Sequence, residues 1–185
     1  MSLEFAILGF LNYHPYTGYD LKKIFDTSIH HFWPADQSQI YRTLARLTEQ
    51  GFAKMEKVPQ DDRPDRKVYS ITAAGQAEFI QWLAGPPPLE GARSAPLIQV
   101  FFAGQLSDEE IRAKFEGFAA LMRSILAQYE QVPSQIQPYQ QEINSPREHY
   151  FWLLTLDNGI RSMRASLEWA ENIIEQFKQG QVPAK

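Results

Sequence analysis

The sequence predicts a mainly α-helical protein in which one β-hairpin separates an N-terminal group of helices from a long C-terminal helical arm. Three observations predict it. Apolar residues recur at helical spacing in short runs before residue 50. Residues 52–71 instead roughly alternate apolar and polar positions about a polar turn, as a half-buried hairpin does. The C-terminal stretch places apolar residues in alternating steps of three and four over several heptads. A chain of 185 residues, 44% of them hydrophobic, can build a real core in a small domain plus an appendage.

The first helix is expected from about Leu3 to Asn12, with Phe5, Ile7, Leu8 and Leu11 apolar. His14-Pro15 ends it, because the residue before proline is pushed out of helical geometry. Thr17 is the expected N-cap of a second helix that buries Tyr19, Leu21, Ile24 and Phe25, and Trp33-Pro34 closes that segment. A third helix runs from about Asp36 to Glu49, with Gly51 as its stop. Two strands follow, about residues 52–58 and 67–71, joined by the polar turn Pro59 to Pro64. Thr72 then caps a fourth helix that reaches about Leu83.

The run 85–91, with two glycines and three prolines, is the clearest breaker and marks a boundary. The expected organisation is a helix-and-hairpin domain over residues 1–85, a linker over 86–96, and a helical domain over 97–185. Pro96 to Gly104 is strongly apolar. Ser107 with Glu110 three positions on is a capping box, and the helix it opens carries Ile111, Phe115, Phe118, Met122, Ile125 and Tyr129. A proline- and glutamine-rich connection, Val132 to Pro146, leads to the last helix, roughly Arg147 to Lys178. Its seam is Leu153, Leu156, Ile160, Met163, Leu167, Ala170, Ile174 and Phe177, which requires a second helix alongside. The seam is expected to form a coiled coil with a second copy, with Ile174 and Phe177 left uncovered by the chain's own helices. Pairing within one chain is the alternative.

Helix, helix, helix, hairpin is the order of a winged helix-turn-helix, whose third helix enters the DNA major groove. Ile40, Leu44 and Leu47 fall on one face of that helix. Ser38, Arg42 and Ala45 lie opposite, flanked by Gln39, Tyr41 and Arg46. Arg42 suits a guanine edge and Gln39 an adenine edge, while Ser38, Tyr41 and Arg46 reach phosphates. The hairpin tip adds Arg63, Arg66 and Lys67, although Asp61, Asp62 and Asp65 sit among them. The net charge is −4, but phosphate affinity depends on local charge, and between Gln37 and Tyr69 bases slightly outnumber acids.

These segments resemble the PadR family of bacterial regulators. The resemblance rests on Leu8-Gly9-Phe10-Leu11, on Gly18-Tyr19-Asp20-Leu21, and on Gln39 through Leu47 ending at Gly51. Arg66-Lys67-Val68-Tyr69-Ser70-Ile71-Thr72-Ala73-Ala74-Gly75 completes it. From Leu97 onward the chain is similar to the branch with a virulence-activator-like C-terminal domain. The resemblance implies a homodimeric repressor that reads an inverted-repeat operator in double-stranded DNA. It also implies C-terminal helices that build the interface and, in some members, release by a phenolic or drug-like effector.

Other chemistry is poorly supported. There is no cysteine, which removes thiol nucleophiles and Cys-ligated zinc and fits a reducing, cytoplasmic setting. The N-terminus lacks a signal-peptide pattern, and no run is apolar enough to span a membrane. His14, His30, His31 and His149 fall in no metal-binding spacing, no carboxylate pair or Gly-rich phosphate loop is evident, and neither an enzyme nor a cofactor is expected. A winged helix that binds protein instead of DNA is the alternative function. Tyr150, Trp152 and Arg161, with Tyr139 and His149 nearby, are the candidate contacts for a small aromatic effector.

Overall fold

A computed structural model describes residues 2–30, 32–59, 65–86, 94–133, 143 and 145–183. The chain divides into two compact units, one built on Met1–Pro88 and the other on Leu89–Ser134 and Ser145–Lys185. The first unit holds α1 (Ser2–Tyr13), β1 (Tyr16–Thr17), α2 (Gly18–Thr27), α3 (Gln37–Glu49), β2 (Ala53–Val58), β3 (Arg66–Ile71) and α4 (Ala73–Ala84). The second holds α5 (Ala95–Phe101), a 3-10 turn (Ala103–Gln105), α6 (Asp108–Tyr129) and α7 (Pro146–Lys178).

Local chemistry sets the helix starts. The Thr17 hydroxyl accepts from the Asp20 N–H (3.1 Å), and the Asp20 carboxylate accepts in return from the Thr17 N–H (3.2 Å). Asp36 and Gln39 form the same reciprocal box at α3, and Ser107 and Glu110 at α6. Each box satisfies backbone donors that a helix start leaves without partners. The α3 helix runs out at Gly51, whose φ of +76° is open to glycine at little cost.

The hairpin gains a third, two-residue strand. The sheet order is β1-β3-β2, antiparallel throughout, with Tyr16 opposite Tyr69 and Met55 opposite Tyr69 on the other side. β3 is therefore the central strand, and the segment entering α2 is stitched to it. One cluster fills the unit: Ile7, Leu8, Leu21, Phe25, Ile40, Leu44 and Leu47 are all almost wholly buried.

A second clasp joins α4 to the hairpin. The Thr72 hydroxyl donates to the Gly51 carbonyl (2.7 Å) and accepts from the Gly75 N–H (3.0 Å), while the Thr72 N–H donates to the Phe52 carbonyl (3.0 Å). Gly75 is pressed against this join so closely that a Cβ there would lie 2.0 Å from the Phe52 oxygen.

In the second unit α6 packs along α7. Ile111, Phe115 and Ala119 of α6 meet Ala170 and Ile174 of α7, with Leu167 and Phe177 beside them. This corrects the expectation that Ile174 and Phe177 are left uncovered. Ile174 is only 9% exposed and Phe177 half-buried, because α6 starts beside the end of α7. Leu156 is buried too, and Ile160, Met163 and Leu167 are partly covered. The positions left open lie toward the start of α7, where Tyr150, Phe151, Leu153 and Leu154 are exposed, and on α5, where Phe101 is 82% exposed.

Candidate nucleic-acid interface

The apolar seam of α3 fixes what its other face presents. Ile40, Leu44 and Leu47 are locked into the core, and Ser38, Tyr41, Arg42 and Ala45 stand exposed on the opposite side. Among the described residues Arg42 meets no carboxylate. Its Nε only folds back to the Ser38 carbonyl (3.4 Å), so the guanidinium retains most of its five donors.

Two expected contacts are already engaged within the unit. Gln39 also serves the helix start, because its Oε1 accepts from the Asp36 N–H (2.9 Å), which leaves its NH2 group and one further acceptor site of the oxygen. The Arg46 guanidinium is drawn onto Glu4 of α1, a carboxylate with only 14% of its side chain exposed. Neither long-range charge nor cap participation is visible in the periodicity of α3 itself.

Tyr41 is placed by contact with α2. A Cβ on Gly18 would come within 2.5 Å of the Tyr41 ring, so the tyrosine packs directly on the first residue of that helix. Tyr69 lies buried in the core nearby. Burial raises its hydroxyl pKa first, and the neighbouring Tyr41 raises it further.

On β3, Arg66 and Lys67 are exposed, and Arg66 donates through Nη2 to the Asp20 carboxylate (3.3 Å). Thr17, Tyr19, Asp20, Tyr41, Asp65, Arg66 and Lys67 line an open cleft of about 550 Å³, so two acids sit in it beside the two cations. Residues of α2, α3 and the hairpin that are distant in sequence thus share one hollow. Arg63, with Asp61 and Asp62, lies outside the described residues.

Lys57 is a basic residue that the sequence reading did not single out. The strand register sets it directly opposite Lys67. Like charges across a strand pair repel, which makes this part of the hairpin a natural seat for an anion. The signal was available only once the register was known.

The expected effector contacts do not converge. Tyr150, 61% exposed, makes an edge contact with Phe151, while Trp152 packs on His149. Arg161 pairs with Asp157 on its own helix, which also raises its pKa. Nine residues of helical rise put Arg161 roughly 13 Å along the axis from Trp152. Tyr139 lies outside the described residues. The apolar hollow of the second unit is elsewhere, about 410 Å³ between α5, α6 and α7, with Leu97, Phe115, Phe118, Met163 and Trp169 as walls and Lys114 as its one cation.

No helix among the described residues is long and apolar enough to cross a membrane. The chain matches the model of the transcriptional regulator PadR-like family over residues 7–81 and that of the virulence activator alpha C-terminal family over residues 92–178. A probable transcriptional regulator of Mycobacterium tuberculosis is 29% identical, over 97% of this chain and 99% of that protein. The negative transcriptional regulator PadR of Bacillus subtilis is 27% identical, over 93% of this chain and 95% of its own length. A crystal structure of Bacillus subtilis PadR in complex with operator DNA superposes with a TM-score of 0.82 at 25% identity, covering 96% of this chain and 99% of that one.

Proposed function

The chain belongs to the PadR-like family of transcriptional regulators, and on that premise we propose that it is a cytoplasmic homodimer that represses by holding α3 in the major groove of an inverted-repeat operator. Residues 1–85 are then the DNA-binding domain, 86–96 the linker and 97–185 the dimerisation domain. The observation that carries the reading is the outward face of α3. Arg42 and Tyr41 stand exposed beside Arg66 and Lys67 of the hairpin, in a chain that follows the operator-bound relative over almost its whole length.

Each residue has a role that its chemistry suits. Arg42 reads a base edge. Ser38 and Tyr41 position the helix on phosphates, and Ala45 lets its backbone approach closely. Arg66, Lys67 and Lys57 hold the flanking backbone, and Arg63 is assigned to the same role. Repression follows the sense of the Bacillus subtilis relative, a negative regulator. The dimer is supported by the large apolar side chains open on α5 and on the first turns of α7, more than a stable monomer usually leaves in water. The hollow beside Trp169 suits an effector with an aromatic body and an anionic group for Lys114. Quenching of tryptophan fluorescence by phenolic acids, lost in Lys114→Ala, tests that part.

Selection of bound fragments from a random genomic library, across a salt series, tests the main reading. An enriched inverted repeat is expected, and Arg42→Ala should cost about 1–3 kcal/mol on that site. A well-folded dimer that enriches nothing at low salt would transfer the winged helix to a protein partner.

A further inference from the structure

The DNA-facing cations are not equally free. Arg42 and Lys67 meet no carboxylate among the described residues, whereas Arg66 is paired with Asp20 and Arg46 with Glu4. Both acids come from other elements of the same unit, α2 and α1. Both are also held in place. Asp20 Oδ2 accepts from the Thr17 N–H and the Thr17 hydroxyl (2.7 Å) as well as from Arg66, and Glu4 is mostly covered. Asp20 cannot swing aside without giving up the Thr17 cap, and Glu4 has little open space around it.

We propose that Asp20 and Glu4 are internal competitors for phosphate at Arg66 and Arg46, and that they hold down the protein's affinity for DNA of no particular sequence. This rests on the DNA-binding reading above. Non-specific affinity comes almost wholly from phosphate neutralisation, and a cation already beside a fixed carboxylate contributes less to it. The effect serves a regulator because the genome offers a vast excess of wrong sites, so occupancy of the right one depends on weak binding elsewhere. Arg42, which faces base edges, is left without such a competitor.

The test uses the full-length protein and a random-sequence duplex, with affinity measured against salt for Asp20→Asn and Glu4→Gln. Asn keeps an acceptor for the Thr17 cap, and circular dichroism with thermal melting verifies folding. Each variant should bind up to about fivefold tighter at low salt, the upper worth of an exposed ion pair. The slope of log affinity against log salt should steepen by up to about 0.9 per freed arginine. Asp20→Glu, which keeps both cap and charge, should restore the original behaviour. Asp26→Asn removes the same charge from a carboxylate that pairs with Lys22 and should change little.

Unchanged or weaker binding in Asp20→Asn and Glu4→Gln, with the unsubstituted protein still binding, would overturn the competition and leave the DNA-binding reading intact. An equal gain in Asp26→Asn would also overturn it, by reducing the effect to net charge. No binding by any form at any salt would remove both.

Discussion

The two units of this chain finish their cores differently. In the first, seven large side chains are almost wholly buried, and the exposed face of α3 is polar and cationic at Ser38, Arg42 and Arg46. In the second, Ile111, Phe115, Ala119, Ala170 and Ile174 form the buried cluster between α6 and α7, with Met122 and Leu156 buried as well, while Leu97, Ile98, Phe101 and Phe102 stay open on or just after α5. The first unit buries its large apolar residues around α3 and turns polar groups outward there, with Ile80 and Leu83 of α4 among the apolar side chains it leaves exposed. The second leaves Leu97, Ile98, Val100, Phe101 and Phe102 exposed in one short run, which suits the assembly surface proposed above.

Breaking the first unit should have the largest effect. Gly75→Ala drives a Cβ into the Phe52 carbonyl, a backbone atom that cannot rotate away, and should destabilise the protein by about 3 kcal/mol. Thermal melting measures this, and a melting curve unchanged by the substitution would contradict the tight join between α4 and the hairpin.

The second unit is predicted to respond in the opposite sense. Phe101→Ser removes a ring that touches little in the single chain, so the fold of one copy should be retained while self-association weakens. Loss of one buried aromatic from each of two copies is worth about 2–3 kcal/mol per side chain. Sedimentation equilibrium should therefore show dissociation at protein concentrations where the unsubstituted chain is dimeric. Equal association in both forms would exclude α5 from the interface.

The smallest effect sharpens the comparison from within the first unit. Burial and Tyr41 hold the Tyr69 hydroxyl above its ordinary value of 10.0. Folded Tyr69 then keeps its proton to higher pH than the unfolded chain does. Stability is intact below about pH 10 and declines above it, as the unfolded form gains by ionising. Tyr69→Phe should flatten the Tyr69 part of this alkaline decline in denaturant melts. Tyr129 of α6, also raised by burial, continues to contribute its own share.

What the sequence disclosed follows the same division. Caps at Thr17 and Ser107, the stop at Gly51 and the inward face of α3 all rest on local chemistry, and the structure has them. β1 was not foreseen, since two residues carry no periodicity. Its place depends on Tyr69, more than fifty positions away. The partners of Arg46 and Arg66 are likewise set by tertiary proximity. The heptad pattern of α7 was legible, but its partner was not, because an apolar stripe looks the same whether α6 or a second copy covers it. Ile174 and Phe177 went to α6.

The Thr72 clasp has a mechanical meaning. α4 is where the chain leaves the first unit, and one threonine hydroxyl fastens its opening turn to the carbonyl that ends α3 and the start of β2. With Gly75 seated hard against the Phe52 carbonyl as well, the first turn of α4 is held tightly to the hairpin. A turn of α4 about its own start would therefore have to carry the adjoining ends of β2 and β3 with it.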